Sequence, residues 1–290
     1  MKTIQLMLAL LIIATSLKAQ VFVTNISTIK KVEIHDIYGE LKIDGNSSNE
    51  LNIKLTGKNE ILKALENYRP NEYKTDNTQL GLHVSVYQDV LSVFVSNEQA
   101  QFGNYKIDLP KNMIVEIKNN FASLANDKED GYSALMNDLI IKGMKNEIDI
   151  NVFASNLKLN NVKGPLVISV YTGSCLASFE RFNQENPSVI NIMEGDIKVN
   201  FEFSANAHVA LKSGLGEIKT NFLFRAATFA YDNQTYKKKR FSTKLADKNK
   251  YTLIEGDINK GGNQLTLNSL NGRVEFYQYG NPVYVVPAIY

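Results

Sequence analysis

The chain has 290 residues, 44% hydrophobic, with 17 glycines, one cysteine and no tryptophan, enough apolar material for one large domain or two smaller ones. Lysine and arginine number 32 against 30 acids, and setting aside Lys2 and Lys18, which lie in an expected leader, leaves 30 against 30. A neutral chain lacks the field that draws proteins to nucleic acid, and the single Cys175 excludes a disulfide framework and paired-cysteine zinc motifs.

Residues 1–19 read as a signal peptide: Lys2 supplies the positive start, Ile4 to Ile13 are apolar apart from Gln5, and Leu17-Lys18-Ala19 ends in a small residue. The run is short for a membrane span. No cysteine follows it, which closes the lipoprotein route, and no transmembrane span is expected after signal removal. The mature chain is expected to start near Gln20 and to be exported to the periplasm, the outer surface or the medium.

Residues 20–118 form an N-terminal β region. Val32, Ile34 and Ile37 precede Gly39-Glu40-Leu41-Lys42-Ile43; a turn over 44–49 then leads to Leu51, Ile53 and Leu55, which alternate with polar residues. Residues 58–69 break the alternation, because Ile61, Leu62, Leu65 and Tyr68 fall at helical spacing before Pro70. This helix is expected to cap an open end or edge of the sheet. Residues 80–86 and 91–95 read as a hairpin, and Pro110 marks a strand end.

Residues 119–290 form a β-strand-repeat region continuous with the first. A polar loop over 119–137 leads to short strands with Gly or Asn corners. The clearest units are Gly195-Asp196-Ile197-Lys198-Val199-Asn200-Phe201 and Gly216-Glu217-Ile218-Lys219-Thr220-Asn221-Phe222, identical at five of seven positions and 21 residues apart. Period-two alternation puts Ile197, Val199 and Phe201 on one face and Asp196 and Lys198 on the other, and each glycine opens a turn. Looser copies start at Gly39, Asn146, Gly164, Gly256 and Gly272. This points to an internal repeat and to an all-β, right-handed, parallel β-solenoid-like stack of short strands. Ile197 and Ile218 become equivalent core positions, and the two units direct neighbours about 4.8 Å apart, with Lys198 above Lys219. The alternative is an antiparallel meander or sandwich, with residues 208–213 between the copies. The tail over 282–287 is extended and suited to docking as a final edge.

Catalytic and metal motifs are absent. His35, His83 and His208 are scattered, Gly214-Leu215-Gly216 reads as a turn, and no nucleophile elbow is present. Asp196 and Glu217 could meet on adjacent rungs, but pairing with Lys198 and Lys219 is the simpler reading. Cys175 reads as a small buried residue. No catalytic, cofactor or metal residue is assigned. Within the longer excursion at 223–250, Lys237, Lys238, Lys239 and Arg240, flanked by Tyr236 and Phe241, are a candidate contact for anionic lipid or polysaccharide, or simply a solvated loop.

Pro110-Lys111-Asn112, the repeated Gly-acid-Ile-Lys units, residues 205–213 ahead of Gly216, and Gly261-Gly262 ahead of Ser269-Leu270-Asn271-Gly272 together resemble the bacterial "putative adhesin" β-strand-repeat family, an envelope-associated domain of unknown function. The resemblance spans about residues 105–276 and implies a right-handed β-solenoid-like stack in the cell envelope; it brings no catalytic residues. The reading is a non-enzymatic secreted or envelope-associated protein acting by surface contact, adhesin-like or scaffold, with an envelope protein or polysaccharide as partner. The alternatives are a β-helix carbohydrate-active enzyme, marked by acids clustered beside a cleft, and a periplasmic accessory of an envelope-sensing system.

Overall fold

The computed structural model describes residues 20–58, 73–119, 136–182, 184–202, 204–222, 224–231, 234–237 and 252–278. The expected signal peptide, the helix beyond residue 58, nearly all of the 119–137 loop, residues 238–240 and the 282–287 tail lie outside these.

The strands join one large mixed sheet that is not closed. Its centre is a pair of parallel ladders sharing a corner. In spatial order, ladder A holds β6 (Val90–Val95), β2 (Lys31–His35), β8 (Ile114–Lys118), the first halves of β10 (Ile148–Val162) and β11 (Leu166–Phe179), then β12 (Ser188–Glu194), β19 (Asn263–Asn271) and β14 (Ala207–Ser213). Ladder B holds β7 (Gly103–Pro110), β3 (Leu41–Asn46), β9 (Asn137–Lys142), the second halves of β10 and β11, then β13 (Ile197–Phe201), β20 (Val274–Gln278) and β15 (Ile218–Thr220). One strand from each ladder makes a rung. Antiparallel strands flank the stack: β5 (Leu82–Tyr87) on β6, β4 (Glu50–Lys58) and then β1 (Val21–Asn25) on β7, and β18 (Thr252–Ile258), β16 (Arg225–Tyr231) and β17 (Gln234–Lys237) beyond β14.

Alternation builds the core. Ile34, Ile117, Ile150, Ile168, Ile190, Leu267, Leu211 and Ile254 stand in one buried row across ladder A. Leu41, Leu139, Leu157, Cys175, Ile197, Val274 and Ile218 do the same across ladder B. Burial of each large aliphatic in these rows is worth roughly 1.5–3 kcal/mol. Ile197 and Ile218 are thus equivalent core positions, as expected, and burial pushes the Cys175 thiol up to about 12.

The corner is a column of small or polar residues: Gly103, Gly39, Asn137, Ser155, Gly173, Gly195, Gly272 and Gly216. A Cβ on Gly195 (φ 137) would sit 1.6 Å from the Gly173 carbonyl oxygen, and one on Gly272 would sit 2.0 Å from that of Gly195. Gly272 has no positive φ. The repeated glycine therefore answers a close approach between rungs, and only at some positions also the turn conformation expected of it. The buried hydroxyls of Ser269 and Ser213 donate to the Gly195 and Gly272 carbonyls at 2.7 and 2.9 Å.

Several expectations are corrected. The two near-identical units are parallel and in register but are not neighbours, because β20 lies between them, with Val274 opposite both Ile197 and Ile218. Charge gives the reason. The units carry acid-Ile-Lys, whereas Arg273-Val274-Glu275 has the reverse order. Arg273 donates to Asp196 at 3.0 and 2.6 Å, and Lys198 lies 3.5 Å from Glu275. Direct stacking would have placed Lys198 over Lys219; interposition alternates the signs in both rows. The stack is also not a simple succession: β2/β3 lies between β6/β7 and β8/β9, and β19/β20 between β12/β13 and β14/β15. The units at Asn146 and Gly164 open strands of ladder A, and Gly256 lies inside antiparallel β18. Where short separate strands are expected, β10 and β11 each run through the corner as one long strand. The 80–95 hairpin and the strand end at Pro110 are as expected. One turn of helix, α1 (Glu98–Gln101), crosses the first corner, capped by the Asn97 side chain.

Candidate functional site: a corner groove beside an amide row

On the outer face of ladder A the register aligns Lys118, Asn151, Ser169, Asn191, Asn268 and Lys212 in one row. Two residues further along each strand, at the same parity, stand Phe153, Tyr171, Met193 and Leu270. β10 and β11 run through the corner without a break, so the alternation that buries Val152 and Val170 turns Phe153 and Tyr171 outward. Their rings stack with centroids 4.6 Å apart and planes at 6°. Tyr171, Met193 and Leu270 are 38%, 44% and 54% exposed, and Leu215 beside them is also exposed. The Leu270 Cδ1 would lie 3.0 Å from a Cβ at position 214, so Gly214 leaves the space that Leu270 fills.

These two rows line a groove of about 510 Å³ with no carboxylate among its residues. Asn151, Asn191 and Asn268 offer paired amide donors and acceptors and Ser169 a hydroxyl, on rungs about 4.8 Å apart, and the apolar row runs beside them. The hydroxyls of Ser169 and Tyr171 and the amine of Lys212 line it with no histidine or carboxylate beside them among the lining residues. Such a surface can hold an extended, repeating ligand laid along the stack. Contiguous apolar surface rimmed by polar groups is the mark of a contact site.

Acids do gather elsewhere. Glu33, Glu116 and Asp149 stand in register on the same face. Lys31 pairs with Glu33 at 2.8 Å and also with Glu116, which Lys118 pairs with too. Against burial, the hydrogen bonds from Lys118 and Lys31 hold Glu116 down to about 2, while burial and then the Glu116 charge raise Asp149. Lysines neutralise this row, and none of its acids lines the corner groove. Asp196 and Glu217 do not meet, since Arg273 stands between their strands; Lys219 pairs with Glu217 at 3.3 Å as expected.

The histidines lie apart. His208 is held between Asp257 (Nδ1, 2.8 Å) and Glu255 (Nε2, 3.0 Å) of β18, and these hydrogen bonds raise its pKa. His35 stacks on Phe94 at 4.5 Å, and His83 Nδ1 lies 2.7 Å from the Thr75 carbonyl. Among the described residues no three His, Cys, Asp or Glu side chains could hold a metal ion, and no helix is long and apolar enough to cross a membrane. Of the basic run, Lys237 ends β17 opposite Thr228; Lys238, Lys239 and Arg240 lie outside the described residues. The groove residues went unremarked in the sequence, yet a signal was there: Asn151-Val152-Phe153, Ser169-Val170-Tyr171, Asn191-Ile192-Met193 and Asn268-Ser269-Leu270 each place a large apolar residue at the wet parity.

No family model and no curated protein matches the chain. Solved structures similar to it include a "putative cell adhesion protein" from Clostridium sporogenes, 15% identical with a TM-score of 0.37, covering 90% of this chain and 100% of that one. A "putative adhesin" from Bacteroides fragilis is 11% identical with a TM-score of 0.35, covering 91% and 98%. Another from Parabacteroides merdae is 10% identical with a TM-score of 0.22, covering 90% and 97%. At these values none of the three decides the fold or role of the chain.

Proposed function

We propose that this is an exported, non-enzymatic, adhesin-like protein of the bacterial envelope that binds an extended polysaccharide along the corner groove, with its stack wound as a right-handed β-solenoid. The observation that carries the reading is the paired row of Asn151, Ser169, Asn191 and Asn268 beside Phe153, Tyr171, Met193 and Leu270. The amides and the Ser169 hydroxyl meet sugar hydroxyls, the apolar row meets the C–H faces of sugars, and the rung repeat brings one polar and one apolar contact to successive units. A groove free of carboxylates supports binding without turnover. The signal-like sequence of residues 1–19 supports export, and the basic run Lys237–Arg240 would add an anionic contact.

The test is an array of envelope polysaccharides and envelope proteins probed with the exported chain and with a Tyr171→Ser, Met193→Ser, Leu270→Ser variant. Binding to a polysaccharide that the variant loses while keeping its β spectrum supports the reading. Binding only to a protein, binding indifferent to the three substitutions, or depolymerisation of the glycan overturns it.

A further inference from the structure

The corner groove repeats on a grid. Along the stack its rungs are successive hydrogen-bonded strands, β10, β11, β12 and β19, about 4.8 Å apart. Across each rung the polar and the apolar side chain stand two residues apart, about 6.6 Å at the rise of a strand. One such cell has about the footprint of a single sugar ring lying flat. Among the described residues the cells run from Asn151 and Phe153 on β10 to Asn268 and Leu270 on β19, and the four of them carry no charge. Then the pattern changes. On β14 Lys212 stands at the polar position and Gly214 at the apolar one. On β8 Lys118 stands opposite Asn151 and pairs with Glu116.

Granted that this groove holds a polysaccharide, we propose that its ligand is a straight, neutral glycan with equatorial links at both ends of each sugar, as in β-1,4-linked glucose, mannose or N-acetylglucosamine, seated one sugar per rung over the four cells. Spacing selects the linkage. A link that is equatorial at both ends carries the chain straight on by close to a full ring length, which keeps pace with the rungs. An axial link turns the chain aside, and a coiled glycan leaves the row after one or two contacts. In a straight ribbon successive rings are turned over, so every cell must accept either edge of a sugar. An amide holds donors and an acceptor together, and the Ser169 hydroxyl both donates and accepts, so the polar row takes hydroxyls from either edge. The apolar row packs on the C–H groups of either face. A ribbon of this kind is already extended before it binds, so little of its freedom is lost on lying down in the groove.

The test is calorimetric titration of the exported chain with cello-, manno- and chito-oligosaccharides of graded length, from dimers to hexamers. Malto-oligosaccharides serve as the coiled counterpart, built from the same sugar as the cello series. In at least one straight series affinity is expected to rise about three- to tenfold per sugar up to the tetramer and to change by less than about twofold beyond it. The malto series is expected to show no such rise. A variant without the last cell, Asn268→Ala with Leu270→Ser, should keep its β spectrum, bind the trimer within about twofold of the parent and gain nothing from the next sugar. A malto series that matches the straight ones, a gain that continues undiminished to the hexamer, or a last-cell variant that still profits from the tetramer overturns the proposal. If every straight series fails while another polysaccharide binds the parent and not the Tyr171→Ser, Met193→Ser, Leu270→Ser variant, the straight ribbon falls and the polysaccharide reading stands. If no polysaccharide binds, both fall.

Discussion

Reversing the charges of one strand tests what sets the rung order. Arg273→Glu with Glu275→Lys would turn two alternating rows into like-charge rows: Asp196, Glu and Glu217 in one, Lys198, Lys and Lys219 in the other. The variant loses the two-point Asp196–Arg273 pair and the Lys198–Glu275 pair. The side chains of the first pair are 41% and 50% exposed, so each lost pair is worth no more than about 0.5–1 kcal/mol. Like charges facing one another at four cross-strand positions cost a few tenths of a kcal/mol each. The sum is about 2–3 kcal/mol, or a drop in Tm of roughly 5–10 °C for a chain of this size. The assay is thermal and urea unfolding at low and high salt, where screening should remove much of the penalty by 0.5 M salt. Reversing Asp196, Lys198, Glu217 and Lys219 as well restores alternation and should recover more than half the loss. Recovery will not be complete, because Asp196 also accepts the Arg273 backbone N–H at 2.7 Å. A double variant as stable as the parent at low salt, or equally destabilised at both salts, would refute charge alternation as the ordering force.

Gly195→Ala puts a methyl into the Gly173 carbonyl at a φ of 137 and should cost more than about 3 kcal/mol, whereas Gly57→Ala, whose nearest neighbour is the Asn104 side chain at 3.3 Å, should be mild; similar urea midpoints for the two would contradict the column. His208 gains Asp257 and Glu255 on folding and its pKa rises, so its contribution is fully present below about pH 6.5 and is lost as pH rises through the higher folded value; His208→Gln should flatten the pH dependence of Tm above pH 6.5. Cys175, pushed up to about 12 by burial, should react with a thiol reagent only at the rate of unfolding, and rapid labelling of native protein would show an opening in ladder B.

Much of the fold is legible in particular residues. Ile197-Lys198-Val199-Asn200-Phe201 can hardly be anything but a half-buried strand, and the recurrence of Gly-acid-Ile-Lys implies parallel stacking. The rung order was hidden because it depends on strands far apart in the chain: Asp196 meets Arg273 across 77 residues, a relation visible only when Arg-Val-Glu is seen as the reverse of Asp-Ile-Lys. The repeated glycine reads locally as a turn, which holds at Gly195 but not at Gly216 or Gly272, since nothing local tells a turn from a carbonyl pressed against the next rung. The groove is hard to read in the sequence because alternation assigns large apolar residues to the core, and Tyr171 and Met193 break that rule only once their strand neighbours are known.

The wedge position of β19/β20 also changes how the stack can be made. In a simple repeat array each new unit docks on the one before, and assembly can keep pace with synthesis. Here β14/β15 emerges before the rung it must rest on, and until the residues up to Gln278 are available β12/β13 and β14/β15 each present an uncovered face. β12/β13 can dock on β11 as it emerges, but β14/β15 and β19/β20 form together or not at all. This end of the molecule gains the all-or-none character of a compact domain, and the rung nearest the carboxyl terminus, clasped on both sides, cannot be the first to fray.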